Sequence, residues 1–312
     1  MRAVTLESVP SAPAVNEVDT PRPAAGELLV KVAAASLNGI DLATAAGYTQ
    51  AFMEHRFPLV LGQDFAGTVE ELGEGVEGFA VGDAVFGVVL KPYLGAGSLA
   101  QYVTVAAGHG VARIPAGVKS EDAGALGVAG ATALVSLDAV ALSEGETLLI
   151  SGASGGVGAL AVQLAAARGA KVIATARPGA QTDFVTGLTG ADVHVVDFTG
   201  DLQGQVRAIA PEGVDAVLHL AGDGAQLAAL LRPGGQLASA TGLTQDDVKG
   251  SDVTVHTIMS NPDVKILTSL VEQVASGALR VPVTATYPLE QATEAFAAFS
   301  ASAPGKIAVS CS

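Results

Sequence analysis

The chain has 312 residues, 49% of them hydrophobic and 15% charged, enough to bury a sizeable core in about two domains without disulfide staples. Its net charge of −15 excludes a surface-wide phosphate-binding face of the kind that non-specific nucleic-acid binding needs, and leaves room only for a local cationic pocket. The single cysteine, Cys311, excludes an intrachain disulfide and a thiolate zinc cage, and points to a reducing compartment.

The first residues, Met1 to Glu7, lack the uninterrupted apolar core of a signal peptide. The first third then reads as short strands, over 27–33 and 65–72, punctuated by Gly62, Gly73, Gly75, Gly78 and Gly82, the texture of a small β-rich domain. Residues 123–137, bounded by Asp122 and Asp138, fall short of the roughly 20 residues that span a bilayer and predict a buried helix. A cytoplasmic protein with no membrane contact is expected. From about residue 120 the pattern changes to apolar strand, turn and alanine-rich helix, the alternation that builds a doubly wound parallel sheet. Six strands are expected, over 147–151, 171–175, 193–196, 215–220, 236–240 and 253–258, with helices over 156–168, 179–187, 201–209 and 223–231. An amphipathic helix over 263–275 follows, then strand 281–286, helix 289–300 and strand 306–310.

The stretch Gly152-Ala153-Ser154-Gly155-Gly156-Val157-Gly158 sits between a strand and a helix. Read from Ala153 it is Ala-x-Gly-x-x-Gly: Gly155 lets the backbone approach a pyrophosphate, Gly158 lets helix and strand pack closely, and the helix N-terminus faces the phosphates. The end of the next strand carries no carboxylate to hold the adenosine ribose of NAD. Arg177 stands there instead, with the Thr175 hydroxyl beside it, and a guanidinium suits a 2′-phosphate, so NADPH is the expected cofactor.

With these residues in view, the chain resembles the zinc-independent quinone oxidoreductases of the medium-chain dehydrogenase/reductase superfamily. The marks are Val32-Ala33-Ala34-Ala35-Ser36-Leu37-Asn38-Gly39-Ile40-Asp41 with Gly47-Tyr48, Gly62-Gln63-Asp64-Phe65-Ala66-Gly67-Thr68-Val69, Gly82-Asp83-Ala84-Val85-Phe86, Ser98-Leu99-Ala100-Gln101-Tyr102-Val103 and the glycine turn. The resemblance implies an α/β protein: a GroES-like catalytic domain over 1–117 and 262–312, a Rossmann domain over 118–261, NADPH in the cleft, and a homodimer joined through the last Rossmann strand. It also implies that Asn38 and Tyr48 lie beside the nicotinamide as the catalytic pair and that Thr132 lies under the cofactor. Further cofactor contacts are implied at Gly152, Ala153, Gly155, Gly156, Val157, Gly158, Thr175, Arg177, Phe198, Ala221 and Thr241. Zinc-dependent relatives carry a cysteine where this chain has Asn38 and a His-Glu pair where it has Gln63-Asp64, so no metal is expected. His55, His109, His194, His219 and His256 are scattered without metal spacing.

Ala45 and His219 depart from the family pattern, which has an arginine and an acidic residue there. Asp41 and Asp64 have the chemistry of an acid–base pair, but their glycine and apolar neighbours favour capping and turn roles. Residues 47–57, with Phe52, Met53 and Phe57, and the loop 90–94 are candidate substrate walls. The expected activity is hydride transfer from NADPH to a quinone or an α,β-unsaturated carbonyl. Its alternatives are enoyl-thioester reduction in polyketide or fatty-acid metabolism and a non-catalytic NADPH-binding redox sensor.

Overall fold

The computed structural model describes residues 1–311. In chain order the first strands and helix are β1 (Arg2–Leu6), β2 (Ala14–Glu17), β3 (Glu27–Ser36), α1 (Gly39–Ala45), β4 (Glu54–Val60) and β5 (Asp64–Leu72). They are followed by β6 (Ala84–Val88), β7 (Tyr93–Ala96), β8 (Tyr102–Ala106), β9 (Val111–Arg113), α2 (Ser120–Ala123) and α3 (Gly127–Ala139). The alternating stretch holds β10 (Thr147–Ser151), α4 (Gly156–Ala167), β11 (Lys171–Thr175), α5 (Ala180–Thr186), β12 (Val193–Val196), α6 (Leu202–Ile209), β13 (Val214–His219), α7 (Gly224–Ala228), β14 (Leu231–Ser239) and β15 (Val253–Thr257). The tail is α8 (Val264–Ala275), β16 (Val283–Pro288), α9 (Ala292–Ser300) and β17 (Lys306–Ser310).

Two compact units result, one of residues 1–131 and 261–312, the other of residues 132–260. The first holds two β-sheets, with strand orders β2-β1-β4-β7 and β16-β17-β3-β5-β6-β9, and β8 also pairs with β3. Strand β17, from the end of the chain, runs antiparallel to β3, with Ala308 opposite Ser36. The core between these strands is apolar, with Val30, Val32, Phe65, Val85 and Ile307 almost fully buried.

The second unit is a six-stranded sheet in the order β12-β11-β10-β13-β14-β15, every neighbouring pair parallel. Strand order reverses between β10 and β13, and in a doubly wound sheet the ligand binds outside the carboxyl ends of the strands at that reversal.

Two expectations need correcting. The helix foreseen over 123–137 is two pieces, α2 and α3, because Gly124 presses against β3: a Cβ there would stand 2.7 Å from the Ala34 carbonyl oxygen. The helix foreseen over 223–231 ends at Ala228, since Leu231 already pairs with Val214 and begins β14. The first compact unit takes in the start of α3, which is tied to β5 through a bond from the Val128 N–H to Asp64 Oδ1 at 2.6 Å. Residues 289–291 form a separate 3₁₀ turn ahead of α9. Among the described residues no helix is long and apolar enough to cross a membrane.

Candidate active site

In the second unit, β10 runs through Gly152 into α4. Gly152 has φ +81°, a conformation that costs an L side chain energy, and it turns the chain between strand and helix. A Cβ on Gly158 would lie 2.3 Å from the Gly152 carbonyl oxygen and 2.6 Å from Ala153 Cα, so only glycine permits this approach of helix to strand. Gly155 differs. A Cβ there would have the Gly152 oxygen as its one near neighbour, at 3.4 Å, so the fold itself does not demand a glycine. Gly155 is the N-cap of α4 and offers no side-chain cap, which leaves the first amides of a twelve-residue helix for an outside anion.

Side chains brace this turn from behind. The Gly152 N–H donates to Thr175 Oγ1 at 2.9 Å, and Ser151 Oγ donates to the Ala221 carbonyl at 2.5 Å across the strand reversal. Thr175 is buried and braces the turn rather than standing open beside Arg177. Arg177 is exposed, has no carboxylate partner among the described residues, and its guanidinium lies 5.6 Å from the centre of the half-exposed Phe198 ring. Ala221 and Thr241 are exposed at the carboxyl ends of β13 and β14. His219 is buried there, within 3.1 Å of Ser239 Oγ and of the Gly222 carbonyl. Because the carbonyl can only accept, Nε2 donates in that bond. Thr132, the first residue of this unit, is 8% exposed.

In the first unit a set of charged side chains lies inside the apolar core. Asp64 Oδ2 accepts from Ser36 Oγ at 2.6 Å and from Asn38 Nδ2 at 2.9 Å, and the Lys306 ammonium lies 3.4 Å away. Lys306 also donates to Asn38 Oδ1 at 2.8 Å and to the Leu37 carbonyl at 3.0 Å. Ser36, Asp64 and Lys306 are at most 2% exposed and Asn38 is 7% exposed. Burial pushes the Lys306 ammonium below the ordinary lysine range, against the pull of Asp64 and Asp41.

Asp41, in the first turn of α1, accepts from the Asn38 N–H at 2.8 Å and the Gly62 N–H at 3.0 Å. It therefore ties the helix start to the loop at Gly62, whose φ of +99° and 2.6 Å Cβ approach to the Leu99 nitrogen suit only glycine. Burial lifts the Asp41 carboxyl to about 7, with Asp64 adding to the lift and the two backbone bonds opposing it. Asp41 and Asp64 thus sit in one buried network, Asp41 in the first turn of α1 and Asp64 at the first residue of β5 rather than in a turn.

A cavity of about 70 Å³ opens beside this network, lined by Asp41, Thr44, Met53, Gln63, Lys91 and Tyr93 among others. It joins parts of the two segments expected as substrate walls. Phe52 and Phe57 do not line it, and Tyr48, at 76% exposure, lies open on a 3₁₀ turn. Sequence reasoning missed Lys306. The available signal was a lysine leading the otherwise apolar strand segment Ile307-Ala308-Val309.

This pairing of a mixed β unit with a six-stranded dinucleotide-type sheet defines a class, the two-domain pyridine-nucleotide oxidoreductase fold. Residues 24–116 match the alcohol dehydrogenase GroES-like domain and residues 189–309 match the zinc-binding dehydrogenase family. The chain is 37% identical over 212 residues to a chloroplast envelope quinone oxidoreductase homolog of Arabidopsis thaliana, a match covering 66% of this chain and 62% of that one. It is 31% identical over 316 residues to a mitochondrial NAD(P)H oxidoreductase of Danio rerio, covering 86% and 79%. A mycobacterial protein solved with NADPH superposes with a TM-score of 0.87 at 27% identity, over 99% of this chain and 100% of that one. The chain belongs to the quinone oxidoreductase-like family of the medium-chain dehydrogenase/reductase superfamily.

Residues fit the two groups that the family implies to different degrees. The glycine turn and open α4 N-terminus fit a dinucleotide pyrophosphate. A zinc ion does not fit at Asn38 and Asp64, because the oxygens that would ligate it already surround the buried Lys306 ammonium, and a divalent cation there would face that charge.

Proposed function

We propose that the protein is a zinc-independent oxidoreductase that uses NADPH to reduce a quinone or an α,β-unsaturated carbonyl. The observation that carries the reading is Gly155, a glycine the fold does not require, standing where a pyrophosphate would meet the α4 amides. The nicotinamide, when bound, supplies the hydride; the protein's residues bind and orient. Gly152 to Gly158 would hold the pyrophosphate and Arg177 the 2′-phosphate, with the Phe198 ring beside it. Ala221, Thr241 and Thr132 complete the proposed contacts. In the first unit, Asn38 and Tyr48 would meet the nicotinamide and acceptor, Tyr48 through its exposed hydroxyl as charge develops on a carbonyl oxygen. The cavity at Asp41, Met53 and Tyr93 would take an apolar part of the acceptor.

Stopped-flow NADPH oxidation with quinones, enones and enoyl thioesters tests the activity: turnover with at least one class is expected, and background rates with all three would refute it. Arg177→Ala should weaken NADPH binding on the order of tenfold while leaving NADH binding unchanged, read by calorimetry. An equal loss for both dinucleotides would remove the phosphate role. The same reading includes a cytoplasmic homodimer. Strand β15 supports the dimer: among the described residues it pairs only with β14, and Met259 just beyond it is 83% exposed, while on its outer edge the Gln245 side chain bonds the Val253 carbonyl and the Val255 N–H. Light scattering giving a monomer mass would reject that assembly.

A further inference from the structure

Resting on the assignment of Asn38 to the reaction site, we infer that Lys306 and Asp64 are positioning residues that clamp the Asn38 amide in one orientation and leave one N–H to serve a ligand. Lys306 has three ammonium hydrogens and three oxygens around it: the Leu37 carbonyl, Asn38 Oδ1 and Asp64 Oδ2. Its donor capacity is filled.

Asn38 stands between a group that only donates and a group that only accepts. Its Oδ1 faces the ammonium at 2.8 Å and its Nδ2 faces the Asp64 carboxylate at 2.9 Å. Turning the amide over would set its NH₂ against the ammonium and its oxygen against the carboxylate, two repulsions in a buried place. The orientation is therefore fixed from both sides. One Nδ2 hydrogen goes to Asp64, and the second has no partner among the described residues.

Asp41 reaches back to the Asn38 N–H, while the Asn38 side chain bonds Lys306 through its oxygen and Asp64 through its nitrogen. Asp64 is itself immobilised, by Ser36 at 2.6 Å and by the Val128 N–H at 2.6 Å. A lysine from the end of the chain thus fixes an asparagine near its start, at a sequence separation of 268 residues.

The test compares wild type with Lys306→Met and with the charge-balanced double variant Lys306→Met/Asp64→Asn, which leaves no lone carboxylate to unfold the core. Three quantities are read: the Asn38 side-chain amide pair by ¹⁵N–¹H NMR, kcat and KM for the best acceptor, and calorimetric affinity for NADPH. In the folded double variant the Asn38 pair should move toward free-amide shifts and exchange faster. Its kcat should fall on the order of tenfold or more, with NADPH affinity changed by less than about threefold.

An unchanged Asn38 amide pair in the double variant would overturn the clamp. So would wild-type kcat in a folded double variant. If wild type turns over no acceptor, the functional reading fails, while the amide spectrum still decides whether the clamp exists.

Discussion

In the second unit the proposed dinucleotide cradle consists of main-chain amides and glycines from one run of seven residues, Gly152 to Gly158. In the first unit the candidate site rests on buried side chains from positions 36, 38, 41, 64 and 306 that hold one another in the core. The difference is one of physical means. A backbone cradle depends on local shape and tolerates no Cβ at its tightest point. A buried charge cluster depends on every partner being present, because removing one leaves another uncompensated.

The largest expected effect comes from breaking the cluster. Lys306→Met should destabilise the chain by about 3–5 kcal/mol in urea titration, and adding Asp64→Asn should restore part of the loss. Equal stability of wild type and single variant would show that the ammonium contributes nothing net.

Two glycines sharpen the contrast on the other side. Gly158→Val would force side-chain atoms against main chain already 2.3 Å from the Cβ position, and should cost about 1–3 kcal/mol of stability as well as dinucleotide binding. Gly155→Ala meets only one atom, at 3.4 Å, so it should leave the melting temperature nearly unchanged and still weaken NADPH binding on the order of tenfold. If both variants lost stability equally, Gly155 would be a packing glycine and not a ligand contact.

The smallest effect is a slope. In the folded chain Asp41 keeps its proton up to about 7, whereas an ordinary aspartate releases it near 3.8. The folded state therefore holds a proton that the unfolded state gives up in this window. The group's contribution to stability is complete below 3.8 and is lost as pH rises through about 7. Asp41→Asn cannot ionise, so its urea midpoint relative to wild type should rise from about pH 4 to about pH 8, although it gives up one of two backbone bonds. A constant difference across that range would mean that Asp41 is ionised throughout.

These two halves were legible in the sequence to different degrees. The six parallel strands and the glycine turn could be read because strand, turn and helix follow one another within about a dozen residues, and their periodicity and glycine spacing are local signals. The end of the helix at Ala228 was missed, since nothing nearby shows that Leu231 pairs with Val214. Lys306 was missed for the same reason on a larger scale: its partners lie 242 to 269 residues away, and a lysine at the start of a strand reads as a surface residue until the strand is placed beside β3. Asn38, Asp41 and Asp64 were singled out by their motif, but the bonds that join them to one another and to Lys306 exist only in the folded chain. The bond by which the Thr175 hydroxyl braces Gly152 likewise joins residues 23 positions apart and exists only in the folded chain.

The most direct test of the account is a calorimetric titration of the purified chain with NADPH and, separately, with NADH. The account predicts saturable binding at one site per chain, tighter for NADPH. Absence of binding heat with both dinucleotides over a range of temperatures would contradict it.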